Sequence, residues 1–256
     1  MIGIDSFKQY FKGLESQYVI IGGTACELLM SEQELDFRAT KDIDMVLIVE
    51  ALTKEFGEIF WKYVQDAGYK HINKGSAKAE FYRFSQPKSS EYPKMIELFS
   101  KKQDWFLPAA NQNITPIHVD DEISSLSAIL LDDDYYAFLT DGIAMIDGVS
   151  ILNAEHIIPF KAKAWLDLTQ RKEQGEHIDS RDIKKHKNDV IRLSMLLTPT
   201  TKINLPNVII EDLSQFIQNL VKEELNLKQL GIRNMNKDTL IQLLCNVYEI
   251  PILQSV

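Results

Sequence analysis

The stretch "VIIGGTACELLM" (19–30) joins an apolar strand to a helix through Gly22-Gly23-Thr24, and "RATKDIDMVLIV" (38–49) follows after a polar gap. The strand is short and uniformly apolar, and Thr24 is a residue type that caps helix N-termini. The second stretch ends in an unbroken apolar run, which predicts a strand buried on both faces. The pair predicts a strand-turn-helix unit followed by a central strand.

Two carboxylates, Asp42 and Asp44, stand at the entrance of this second strand. Alternate residues of a strand point to the same side, about 6.6–6.8 Å apart. Carboxylates so placed can hold one divalent cation or a pair of cations, as phosphoryl-transfer sites do. The D-x-D tripeptide is also common as a purely polar strand entrance, so by itself it leaves both interpretations open.

The Gly22-Gly23 turn has a similar pair of interpretations. Glycines allow backbone N–H groups to approach a ligand closely, and the N-terminus of the following helix favours anions. In the first interpretation, the turn binds phosphate. The alternative is a tight turn that Thr24 simply caps.

A third carboxylate, Glu97, interrupts the apolar segment "MIELF" (95–99). In a strand it shares a face with Met95 and Phe99. A glutamate in a core strand is costly unless it is paired or bound to a metal. The alternative is an edge strand on which Glu97 faces water.

The order of these features resembles the nucleotidyltransferase superfamily that includes DNA polymerase β. The hallmark of that superfamily is a G-[GS] turn, then D-x-D, then a third carboxylate on a neighbouring strand. Within it, "GGTACELL…RATKDIDMVL" is most similar to the AbiEii/MenT type of bacterial nucleotidyltransferase-like toxins, which have a longer gap before an R-x-T-x-D-I-D segment. Glu97 departs from the more usual aspartate, although glutamate also binds Mg²⁺ through oxygen.

The resemblance implies roles for particular residues. It assigns Mg²⁺ or Mn²⁺ to Asp42, Asp44 and Glu97, with Glu97 also as the group that activates an acceptor hydroxyl. It assigns the nucleoside triphosphate to the turn and the segment after it, namely Gly22, Gly23, Thr24, Arg38 and Thr40.

In the helical half, the resemblance implies a lysine and an aspartate on successive helices. Lys161 in "PFKAKAWLDL" takes the lysine role and offsets charge at the triphosphate. Asp189 in "DSRDIKKHKNDVIRL" takes the aspartate role, with Asp182 as the alternative. Neighbouring lysines either form a solvated helix face or line a basic groove for RNA: Lys163, Lys184, Lys185 and Lys187.

Composition and charge narrow the class of protein. The chain has 256 residues, 45% of them hydrophobic, and a net charge of −9, which is typical of a globular protein and argues against a generic nucleic-acid coat. The pattern is mixed at first and helical later, which predicts an α+β fold: a nucleotidyltransferase-type mixed sheet flanked by helices over residues 1–150, then a helical domain over 151–256. The absence of a signal-like or membrane-spanning apolar run predicts a cytoplasmic protein with no membrane association.

The predicted function is metal-dependent transfer of a nucleoside monophosphate from a triphosphate to an acceptor hydroxyl. The acceptor is tRNA, a protein or a small molecule, and resemblance to the toxin members implies an antitoxin partner. The alternative is a degenerate member of the fold that acts as a non-catalytic binding or regulatory module.

Overall fold

The computed structural model describes residues 1–71, 80–100, 129–130 and 132–251. The chain divides into two units. The first contains the described residues of Met1–Asp120 together with Ile143–Asn153. The second contains the described residues of Asp121–Gly142 together with Ala154–Val256.

A seven-stranded mixed sheet forms the centre of the first unit. Its strands are β1 (Tyr18–Ile21), β2 (Asp42–Leu47), β3 (Lys70–His71), β4 (Glu80–Ser85), β5 (Met95–Ser100), β6 (Ile143–Ile146) and β7 (Val149–Leu152). Their order across the sheet is β3-β4-β5-β2-β1-β7-β6. The β2–β5 and β1–β7 pairs are parallel, and the other four pairs are antiparallel.

The described residues of this unit contain three helices: α1 (Ile4–Phe11), α2 (Gly22–Glu32) and α3 (Lys54–Ala67). The start and end of α3 follow from its sequence. The Thr53 side chain accepts a hydrogen bond from the Phe56 N–H at the N-terminus, and Gly68 takes the left-handed conformation at the C-terminus. The spacing of Phe7, Tyr10, Phe11 and Leu14 predicts a helix over residues 5–16. The observed helix is shorter, because α1 ends at Phe11 and a 3₁₀ turn, Glu15–Gln17, leads into β1.

An aromatic cluster from α1, α3 and β1 packs on one face of the sheet. Ring centroids in this cluster lie 4.3–6.4 Å apart. Tyr18 contributes from β1, and its register partner on β2 is Leu47. Because side chains alternate along a strand, Asp42 and Asp44 point to the opposite face. The helices α1 and α3 thus bury one side of the sheet, and the carboxylates occupy the other side.

The second unit is helical in its described residues: α4 (Asp133–Asp141), α5 (Ala154–Glu173), α6 (Ser180–Leu193), α7 (Asn207–Lys222) and α8 (Lys237–Val247). A polar network connects three of these helices. Asp212 on α7 accepts a hydrogen bond from Tyr135 on α4 at 2.9 Å and pairs with Lys163 on α5 at 2.9 Å. Asn236 caps α8, as expected from its residue type.

The predicted fold class is confirmed: a mixed sheet flanked by helices is followed by a helical region. Of the segments with no firm assignment from sequence, 133–141 is a helix whose N-cap is Asp132, and 143–152 is a β-hairpin. The segment "ITPIHVDDEIS" (114–124) lies outside the described residues. No helix within the described ranges is both long enough and apolar enough to cross a bilayer.

Candidate functional site

The carboxylate of Asp44 lies directly against the backbone of Gly22. The antiparallel pairing of β1 with β2 sets Ile21 opposite Asp44, so the turn that follows β1 begins beside this side chain. A Cβ atom built on Gly22 would lie 1.7 Å from Asp44 Oδ2, closer than any real contact. Gly22 also has a φ of +68°, where L side chains are strained. Glycine is therefore required for the carboxylate to take this position.

The next glycine, Gly23, lies against the guanidinium group of Arg38. A Cβ on Gly23 would lie 3.1 Å from Arg38 Nη2 and 2.9 Å from Thr40 Cγ2. The side chains of the "RAT" segment therefore lie over the N-terminus of α2. The structure brings the predicted glycine turn, Arg38, Thr40 and Asp44 together in one place.

Thr24 is not the helix cap that its residue type predicts. The helix begins earlier, at Gly22, and Ile21 precedes it with no capping side chain. The fully buried Thr24 hydroxyl instead donates a hydrogen bond to the Asp42 carbonyl oxygen at 2.5 Å. A second contact, at 3.3 Å, joins it to the Thr40 hydroxyl. These hydrogen bonds of Thr24 connect α2 to the segment that contains the D-x-D motif.

Glu27 is a further residue of this region that the sequence analysis missed. Its Oε2 atom accepts hydrogen bonds from the Thr40 N–H, at 2.7 Å, and from the Thr40 hydroxyl. Burial acts to raise the pKa of Glu27, but the hydrogen bonds from Thr40, together with the N-terminal ammonium group of Met1 at 3.1 Å, hold the pKa below its ordinary value. Its position one turn into α2 gives no sequence signal, because only the folded loop brings Thr40 to it.

Glu97 lies beside Asp44 in the interior of the sheet. The parallel register of β2 and β5 makes the two residues direct neighbours. Because β5 lies between β4 and β2, the alternative of an edge strand with Glu97 facing water is wrong. The Glu97 side chain is buried, with 7% of the residue exposed.

Arg83 on β4 is the charged partner of Glu97, and the sequence analysis missed it. Its Nε and Nη2 atoms each lie 2.8 Å from Glu97 Oε1. Burial, and after it the neighbouring Asp44, raises the pKa of Glu97 well above its ordinary range, and Arg83 opposes this effect. The cost expected for a buried glutamate is therefore offset by an arginine across the strand.

The donor set suits a magnesium ion held jointly with a substrate. Within residues 1–71, 80–100, 129–130 and 132–251, no group of three or more His, Cys, Asp or Glu side chains is arranged to hold a metal ion. Asp42 and Asp44 still share one face of β2. Mg²⁺ is usually bound through one or two carboxylates, with substrate phosphates and water completing its shell. Two aspartates beside a glycine turn at a helix N-terminus fit that requirement.

Lys161 and Asp189 form a buried ion pair in the second unit. Lys161 Nζ on α5 lies 3.2 Å from Asp189 Oδ2 on α6, and both residues are buried. Asp182, the alternative to Asp189, lies in the first turn of α6. The structure thus pairs the predicted lysine with the first of the two aspartates considered.

Two of the neighbouring lysines engage carboxylates of the same unit. Lys163 pairs with Asp167 at 3.4 Å and with Asp212, and Lys187 pairs with Glu223. These pairs neutralise part of the positive charge that a basic groove for RNA would need.

No protein-family model matches the chain, and none of the curated proteins matches it. Among solved structures, it is similar to an antigenic nucleotidyltransferase-like protein from Paracoccidioides brasiliensis, with 17% identity and a TM-score of 0.45, covering 93% of this chain and 98% of that one. It is also similar to JHP933 from Helicobacter pylori, with 15% identity and a TM-score of 0.42, covering 96% of this chain and 88% of that one. Likenesses of this size carry no argument about activity, which depends on the residues of the site.

Proposed function

We propose that this protein transfers a nucleoside monophosphate from a nucleoside triphosphate to an acceptor hydroxyl, with a divalent cation held by Asp42 and Asp44. The observation that carries the proposal is the convergence on one glycine turn of an aspartate and an arginine. Asp44 lies against Gly22, and Arg38 lies against Gly23. A metal-binding group and a phosphate-binding group are thereby adjacent at the start of α2.

The turn and Arg38 recognise the triphosphate. The first N–H groups of α2 have no partner within the helix, and the helix dipole favours negative charge there. Asp44 Oδ2 and the Arg38 guanidinium fill the space beside Gly22 and Gly23, so a phosphate at this helix N-terminus would lie next to both side chains. The Arg38 guanidinium adds a planar donor suited to phosphate.

Asp42 and Asp44 hold Mg²⁺ or Mn²⁺, which when bound neutralises phosphate charge during in-line displacement. The hydrogen bond from Thr24 to the Asp42 carbonyl fixes the backbone between the two aspartates. The resemblance also implies a role at the triphosphate for Lys161, which pairs with Asp189 in the second unit. Most of the rate then comes from positioning and from charge stabilisation.

The test is transfer of label from each α-³²P nucleoside triphosphate, with Mg²⁺ or Mn²⁺, to cell extract. Separate arms contain total tRNA, the protein fraction and the small-molecule fraction, since each class offers acceptor hydroxyls. We expect label in one arm only, lost in the Asp42→Asn/Asp44→Asn variant.

The matched control is Glu58→Gln, which removes an exposed carboxylate of α3 from the same unit. This variant is expected to transfer label at the wild-type rate. Transfer that survives in the double aspartate variant contradicts the proposed mechanism. Absence of transfer from every nucleotide to every fraction supports the alternative, a non-catalytic module that has kept the fold.

A further inference from the structure

Three charged side chains stand side by side on neighbouring strands. The register pairs Asp44 on β2 with Glu97 on β5, and Glu97 with Arg83 on β4. Directly opposite residues point to the same face, with Cβ atoms about 4.5–5.5 Å apart. Glu97 therefore lies between an aspartate on one side and an arginine on the other.

Both neighbours lie beside the Glu97 carboxyl group. Arg83 Nε and Nη2 lie 2.8 Å from its Oε1 atom, which makes this a charge-assisted contact with two donors. Asp44 is the direct neighbour of Glu97 in the β2–β5 register, so its side chain lies on the same face beside it. Asp44 is in turn confined on its other side by the backbone of Gly22. The position of the Asp44 carboxylate is thus defined from two directions.

The pairing with Arg83 also argues against Glu97 as a metal ligand. Glu97 Oε1 already accepts from two nitrogens of Arg83, and moving this group onto a metal would leave the guanidinium, whose side chain is 22% exposed, without this partner. Asp42 and Asp44 alone supply two carboxylates, and Mg²⁺ is usually bound through one or two.

We propose that Arg83 and Glu97 are positioning residues: Arg83 retains Glu97 whether or not metal is bound, and Glu97 orients Asp44 instead of coordinating the metal. This inference rests on the proposed function, because it concerns the carboxylates of the same site. It replaces the role of third metal ligand that the family resemblance implies for Glu97.

The test is Mn²⁺ affinity, measured on the full chain by electron paramagnetic resonance of free Mn²⁺. Asp44→Asn removes a ligand and is expected to lower affinity at least about tenfold. Glu97→Ala removes the support of that ligand, and loss of such support typically costs about 10- to 100-fold. Glu97→Gln keeps groups that bond both Arg83 and Asp44, so it is expected to remain within about threefold of the wild type.

A second measurement follows the arginine itself. In protein labelled with ¹⁵N-arginine, the Arg83 Nε–H resonance, assigned from its absence in Arg83→Lys, is expected to be protected from exchange with water. It is expected to stay in place when Mg²⁺ is added, because Glu97 does not move to the metal. A merely structural role of Glu97 would lower the stability of Glu97→Ala without lowering its Mn²⁺ affinity.

Different results would contradict this inference and the proposed function. If Glu97→Gln loses as much Mn²⁺ affinity as Asp44→Asn, or if Mg²⁺ abolishes protection of Arg83 Nε–H, then Glu97 is a ligand and this inference alone is overturned. If the wild type binds no Mn²⁺, the proposed function is overturned and this inference with it.

Discussion

The Oδ2 atom of Asp44 lies 1.7 Å from the point where a Cβ atom would stand on Gly22. The Asp44 carboxylate on β2 therefore occupies the place that a side chain on Gly22, the first residue of α2, would take. Only glycine leaves this place free. The positive φ of Gly22 adds an independent reason for glycine. The Gly-Gly turn and the D-x-D motif, separated in sequence, form one structural feature.

Replacing Gly22 with alanine is expected to disrupt this feature. The left-handed backbone costs an alanine about 1–2 kcal/mol, and the new methyl group displaces the Asp44 carboxylate. We expect Mn²⁺ affinity to fall at least about tenfold, in the range found when support of a metal ligand is lost. Metal titration and the free energy of unfolding are to be measured on the same variant.

Gly148→Ala is the matched control for this substitution. Gly148 has a φ of +76°, close to that of Gly22, but a Cβ atom there meets nothing within 4 Å. It should reproduce the backbone strain and leave Mn²⁺ affinity unchanged. Equal loss of affinity in both variants would show that general destabilisation, and not the contact with Asp44, is responsible.

The buried pair of Lys161 and Asp189 allows fold and activity to be separated. Lys161→Met leaves Asp189 as a buried charge without its lysine, which typically costs about 3–5 kcal/mol. We expect a loss of this order in the free energy of unfolding, measured by urea denaturation followed by circular dichroism.

The double variant Lys161→Met/Asp189→Leu replaces both charges with apolar groups of similar size. Such replacements of buried ion pairs are often neutral or stabilising, so stability should largely return. Label transfer by this variant tests the role at the triphosphate that the resemblance implies for Lys161: without the lysine, transfer should remain absent. Recovery of transfer together with stability would show that this pair is only structural.

His156 makes the second unit sensitive to acid. Burial lowers the pKa of His156 to about 4, although Asp141 opposes the change, and the ring stacks on Phe138 at 4.3 Å. Between the unfolded-state pKa of about 6.5 and the folded-state value, the unfolded chain binds the extra proton. Stability therefore falls as pH falls through this window, by up to ~3 kcal/mol near pH 4.

The check is the free energy of unfolding as a function of pH for the wild type and His156→Gln. The variant loses the ring contact and should be less stable at neutral pH, with a shallower acid slope. His177→Gln, which changes an exposed histidine, is the matched control. If the acid slope of the free energy of unfolding is unchanged in His156→Gln, other groups cause the acid sensitivity.

Much of the site was predictable because its motifs are local. The glycine turn, the D-x-D pair and the buried glutamate each have a short sequence pattern, and their order favours one arrangement. Arg83 and Glu27 lack such patterns. Arg83 meets Glu97 only through the register of β4 and β5, and Glu27 meets Thr40 only through the loop that returns to α2.

Predictions from local residue preference were also wrong or incomplete where tertiary contacts determine the structure. Thr24 has the residue type of a helix cap, but a buried carbonyl on β2 was the stronger partner for its hydroxyl. The acidic run "DDDYY" (132–136) gave no clear element from sequence. In the structure Asp132 accepts hydrogen bonds from the N–H groups of Asp134 and Tyr135 and starts α4.

The most direct test of the central claim is calorimetric titration of the full chain with non-hydrolysable analogues of the four nucleoside triphosphates, with and without Mg²⁺. This measurement needs no acceptor. We expect at least one analogue to bind only when Mg²⁺ is present, and we expect this binding to be lost in Asp42→Asn/Asp44→Asn and kept in Glu58→Gln. Binding of no analogue, or equal binding by the double aspartate variant, would contradict the claim that the glycine turn and the two aspartates form a metal–nucleotide site.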